Sequence, residues 1–85
     1  MKTINELDHE GLMSTRLWNC IYRNAAADLN ELRGLDRYGR SPGCVTEEDV
    51  FNMSIKDLFD LIGEDRIKRW RCLGAKTLAE MKGLI

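Results

Sequence analysis

No stretch of this chain alternates apolar and polar residues as a strand would, and helix-start and helix-stop signals punctuate it instead. Ser14 is placed to cap a first long helix, in which Leu17, Ile21, Ala25, Leu29 and Leu32 recur at the spacing of one buried stripe. Gly34 ends it. Thr46 with Asp49 and Ser54 with Asp57 fit the capping box, in which hydroxyl and acid satisfy each other's backbone amides. They predict a short helix over 46–52 and a second over 54–62, the latter burying Ile55, Leu58, Phe59 and Ile62 before Gly63 breaks it. Residues 64–71 read as a further turn of helix with Ile67 and Trp70 inward, and a last helix spans 75–83. The expected fold is all-α, a compact bundle of four to five short helices ending in a helix-hairpin-helix-like motif. Residues 34–43, with Arg37, Arg40, Ser41, Pro42 and three glycines, form a turn-rich surface loop. Trp18, Phe51, Phe59 and Trp70 are expected to supply core burial rather than stacking platforms, and Tyr38 is the aromatic whose setting favours exposure.

Eighty-five residues hold one domain, 1–85, with too small a core for a deep enclosed active site. The 44% apolar and 32% charged composition is that of a soluble globule. No apolar run approaches the ~20 residues that span a bilayer, and no signal-peptide pattern opens the chain. A cytoplasmic protein with no membrane partner is expected. Cys20, Cys44 and Cys72 are odd in number and lack a C-x-x-C pair, so a disulfide framework is not expected. His9, the single histidine, leaves too few candidates for a zinc site or a nucleophile–base pair and reads as a solvated residue of the leading segment. The expectation is a protein that is not an enzyme and carries no metal and no cofactor.

The segment from Arg71 to Lys82 reads as a glycine turn opening a helix. The first amides of a helix lack intrahelical partners, and its dipole favours an anion there. Gly74 would admit a phosphate close to the backbone, with Lys76 adding charge and Thr77 a hydroxyl. Leu73, Leu78 and Met81 would pack the turn onto the domain. Thr77 and Glu80 equally fit a capping box, a purely structural alternative. The charge distribution favours an anion. Residues 66–85 carry Arg66, Lys68, Arg69, Arg71, Lys76 and Lys82 against Glu80 alone, a net +5, although the whole chain is −1. Residues 45–65 carry seven acids against Lys56, a net −6, and read as solvated helix faces.

Ser14-Thr15-Arg16-Leu17-Trp18-Asn19-Cys20-Ile21 and Leu73-Gly74-Ala75-Lys76-Thr77-Leu78-Ala79-Glu80-Met81-Lys82 together resemble the C-terminal domain of the bacterial RNA polymerase α subunit. That family carries S/T-V-R-S-x-N-C-L at its first helix and N-L-G-x-K-S-L-x-E-I-K at its last. Thr46 to Val50 and Met53 to Leu58 are similar to its intervening T-V-x-D-L and T-E-x-x-L segments. The blocks fall in the family's order and cover roughly half of the chain. The resemblance implies DNA contact by Arg16 in the minor groove, by its helix partners Asn19 and Cys20, and by Gly74, Lys76 and Thr77 at the glycine turn. It implies that Glu80 orients Arg16, although an Arg16–Glu80 ion pair is also the plain structural reading. Arg37, Arg40, Arg69 and Arg71 are candidates for additional phosphate contacts. An arginine in a narrow A/T-rich groove meets concentrated negative potential, and such binding reads shape more than base identity.

The chain departs from the family at three places. An insertion at about 25–44 lengthens the first helix and adds the arginine loop. A shorter one over Gly63 to Trp70 brings extra basic residues. Leu12 stands at the family's acidic contact to promoter-recognition factor, with Glu10 close by. No assembly domain precedes these blocks, and a detached domain suited to an accessory regulator or a mobile-element product is the expectation. The resemblance thus implies a nucleoid-associated module on double-stranded DNA, partnered by RNA polymerase, promoter-recognition factor or another DNA-bound regulator. The alternatives are a protein-interaction module that mimics the α domain to engage those proteins, and a general helix-hairpin-helix domain binding phosphates without groove preference.

Overall fold

Ser14, Thr46 and Ser54 each cap a helix in the computed structural model, which describes residues 2–36, 42–71 and 73–85. Arg37, Tyr38, Arg40 and Cys72 lie outside the described residues. The described chain is all-helical, in the order α1 (Ile4–His9), α2 (Thr15–Leu32), α3 (Glu47–Phe51), α4 (Ile55–Ile62), α5 (Glu64–Ile67) and α6 (Ala75–Gly83). Both expected capping boxes close reciprocally, Thr46 with Asp49 and Ser54 with Asp57.

The element beyond those expected is α1. Thr3 and Glu6 form a third capping box, and Ile4 and Leu7 are buried. The Ile4 amide donates to the Met53 carbonyl at 2.8 Å, which ties this leading segment to the turn between α3 and α4. Gly11, at φ 69°, ends it: Leu12 N–H reaches back to Leu7 O at 3.0 Å and Gly11 N–H to Asp8 O at 3.1 Å, a Schellman closure.

α2 is the spine, packed against α3, α4 and α6. Leu17, Ile21, Ala25 and Leu29 face inward as their spacing requires, meeting Val50, Ile55, Leu58, Ile67 and Met81. Leu32 departs from the stripe and is exposed. At that last turn the interior face belongs to Asn30, 1% exposed, because the returning chain at Val45 covers it rather than Leu32. Trp18 stacks between Phe51 at 5.1 Å and the exposed Tyr22 at 5.2 Å, half-buried rather than enclosed. Trp70 is buried, and Phe59 packs partly exposed at the edge of the core.

Candidate nucleic-acid interface

The N-terminus of α2 and the first turns of α6 come together through one carboxylate. Ser14 accepts from Leu17 N–H at 3.2 Å as the α2 cap, while its own backbone N–H and hydroxyl both donate to Glu80, at 2.7 and 2.6 Å. Glu80 thereby clasps two segments 66 residues apart. This corrects two local readings. No Thr77–Glu80 capping box forms, because Gly74 is the N-cap of α6 and Glu80 is committed to Ser14. No Arg16–Glu80 ion pair forms either: both are described residues, and Arg16 stays exposed without a carboxylate partner.

Around that clasp, Ser14, Arg16, Lys76, Thr77 and Glu80 line a shallow cleft of about 230 Å³. Four residues read from two distant sequence blocks thus meet at one place. Asn19, one turn along α2 from Arg16, is exposed. Cys20 is 0% exposed and Thr77 is 4% exposed. The Cys20 side chain belongs to the packing beneath the surface, whereas Thr77 reaches the cleft lining with little of its surface exposed.

Gly74 has ordinary extended backbone angles, φ −81° and ψ 171°, and a Cβ there would meet nothing within 4 Å. Neither conformation nor packing demands glycine at this position. Its consequence is that no side chain bonds the first-turn amides of α6. The N-terminus of α2, by contrast, already holds an anion, the Glu80 carboxylate.

Electrostatics sort the basic segment into paired and unpaired groups. Lys82 and Lys68 pair with Glu64, at 2.9 and 3.4 Å, and Arg66 pairs with Asp28 and Glu31. The Lys82 hydrogen bond, chiefly, holds the Glu64 carboxyl below its ordinary value. Among the described residues Arg16, Arg23, Arg69, Arg71 and Lys76 have no ion pair. Arg69 and Arg71 do not join the Arg16 cleft but line a second one, with Asn24, Asp28, Arg66 and Trp70. Arg23 and Asn24 are not among the residues expected from the sequence. The available signal was spacing, since Arg23 lies seven residues beyond Arg16 and returns to the same exposed flank of α2.

Among the described residues no group of three or more His, Cys, Asp or Glu side chains is placed to hold a metal ion, and no helix is long and apolar enough to cross a membrane. No protein-family model, curated protein or solved structure matches the chain.

Proposed function

We propose that this chain is a non-enzymatic, transcription-associated DNA-binding module that grips A/T-rich minor groove and its flanking phosphates, acting with RNA polymerase or a DNA-bound regulator. The observation that carries this reading is the convergence of Arg16 and Lys76, sixty residues apart, on one cleft beside the uncapped start of α6. Arg16 is a long cation with no ion pair among the described residues, suited to a groove of negative potential. Lys76 and the α6 amides suit a phosphate at the groove's edge. Asn19 and Arg23 extend the same flank. Cys20 and Thr77 support the surface from below, and Glu80 fixes the angle at which α6 meets α2. The resemblance to the polymerase α C-terminal domain belongs to this proposal and adds the expected partners.

A titration of A/T-rich and G/C-rich duplexes at low salt tests it. A/T-rich duplex binds more tightly, Arg16→Ala abolishes that binding, and Lys76→Ala weakens both duplexes while lowering the salt slope by about one. Absence of duplex binding, or binding indifferent to Arg16, would sink the reading. Equal affinity for the two duplexes would favour a general phosphate-binding domain.

The protein-interaction alternative has its own observation. Glu47, Glu48, Asp60 and Asp65 are exposed, have no ion pair among the described residues, and do not line the Arg16 cleft. Purified RNA polymerase binding in the absence of DNA, lost on Glu47→Lys/Glu48→Lys and kept by Arg16→Ala, would favour that mode.

A further inference from the structure

We propose that the cleft between α2 and the α5–α6 connection is a second phosphate site, taking the backbone of the same duplex that lies across Arg16 and Lys76. This rests on the DNA-binding reading above. The cleft has a volume of about 320 Å³ and three guanidinium groups in its lining, those of Arg66, Arg69 and Arg71, against the single carboxylate of Asp28.

Its floor is fixed. The buried Trp70 donates its indole N–H to Asp28 Oδ2 at 2.6 Å, and Arg66 Nη2 donates to Asp28 Oδ1 at 3.3 Å and to Glu31 Oε2 at 3.0 Å. Both Asp28 oxygens are therefore occupied. Asn24 Nδ2 donates to the Cys20 carbonyl at 2.8 Å and to the Arg71 carbonyl at 3.3 Å, which anchors the chain that carries Arg71. Such a floor holds the cleft's shape without a ligand.

Its polar groups are not all satisfied. Arg66 Nε is buried with no hydrogen-bond partner, and buried donors are rarely left so. Arg69 and Arg71 are exposed and have no ion pair among the described residues. Two exposed guanidiniums without an ion pair among the described residues, standing over a floor whose carboxylate is already bonded, suit an anion with several acceptor oxygens. Arginine forks match a phosphate in both geometry and charge.

The placement favours a duplex over a free ion. Asn24 follows Arg16 by eight residues of the same helix, about 12 Å along its axis. Phosphates of one strand recur about every 3.4 Å along a duplex, so two clefts at this spacing fall within three to four nucleotides of each other. A duplex with its axis lying along α2 presents phosphates to both.

The chain has two tryptophans, so its amide spectrum shows two indole N–H signals, and that of Trp70 reports on the cleft floor. A/T-rich duplex added to the full chain is expected to shift the Trp70 signal. Arg69→Ala/Arg71→Ala, altered only at exposed positions and checked for unchanged helicity, is expected to lose on the order of tenfold in affinity and to lower the salt slope by about two. If that double variant keeps wild-type affinity and slope while Arg16→Ala is impaired, the second site is overturned and the DNA reading stands. If the wild-type chain binds no duplex, both are overturned. If inorganic phosphate moves the Trp70 signal and duplex does not, the occupant is a free phosphate and the proposal fails.

Discussion

Asn30 shows how one polar side chain can close a loop that hydrophobic pattern alone would leave open. It is 1% exposed, and its amide meets both backbone groups of Val45: Oδ1 accepts from the Val45 N–H at 2.7 Å and Nδ2 donates to the Val45 carbonyl at 3.1 Å. The side chain imitates a strand partner for a residue that has none. Its own carbonyl closes the end of α2, accepting from Leu35 N–H at 2.8 Å past Gly34, whose φ of 72° favours glycine. Asn30→Ala would leave the Val45 N–H and C=O, in a residue 6% exposed, without partners. The expected cost is about 2–4 kcal/mol, on the order of 10 °C or more in the melting temperature of a domain this size. Asn30→Asp should cost a similar amount, because an ionised carboxylate cannot donate to the carbonyl. Thermal melts of both variants check this, and an Asn30→Ala melt within 2–3 °C of wild type would contradict the account.

At the scale of elements, the start of α6 separates what supports the fold from what is left available. Gly74 caps it without a side-chain bond, and a Cβ there would enter open space. Serine is a better N-cap than glycine, so Gly74→Ser should leave stability unchanged or raise it by a few tenths of a kcal/mol. Its hydroxyl would take the first-turn amides that the proposed function assigns to a phosphate, so under that proposal duplex affinity should fall while the melt does not. A variant that loses neither would remove the α6 start from the interface. The same elements show what can be read from sequence. Thr46 and Ser54 were legible because each cap closes within three residues. Thr77 and Glu80 carry an equally good local pattern, yet Glu80 spends both oxygens on Ser14, a partner that only the assembled bundle supplies. The Arg16–Lys76 meeting was legible only through the family resemblance, because nothing local links the two blocks. α1 escaped for the opposite reason. Its two buried positions, Ile4 and Leu7, are too few to show a period, although the Thr3–Glu6 box was in view.

For the molecule as a whole, the separation of charge along the chain is partly undone by folding. Glu64, from the acidic segment, lies between Lys82 at 2.9 Å and Lys68 at 3.4 Å, and so joins the start of α5 to the end of α6. Those contacts, with the Lys82 hydrogen bond foremost, lower the Glu64 carboxyl from its ordinary value. The Thr3 backbone and side-chain hydrogen bonds lower Glu6 in the same way at α1. A carboxyl lowered in the native state binds fewer protons there than in the unfolded chain through the acidic range. Its contribution is therefore present above the ordinary glutamate value and is lost as pH falls through the native one. Both groups are solvent-exposed, so the effect is modest and screened by salt. Glu64→Gln keeps the shape and removes the titration. Its melt should lie slightly below wild type near neutral pH and converge with it as pH falls from about 5 to about 3. Added salt should narrow the neutral-pH gap. Wild-type and Glu64→Gln melts that run parallel across that range would show that Glu64 does not join the two helices in solution, and that Lys68 and Lys82 keep the charge that folding otherwise offsets.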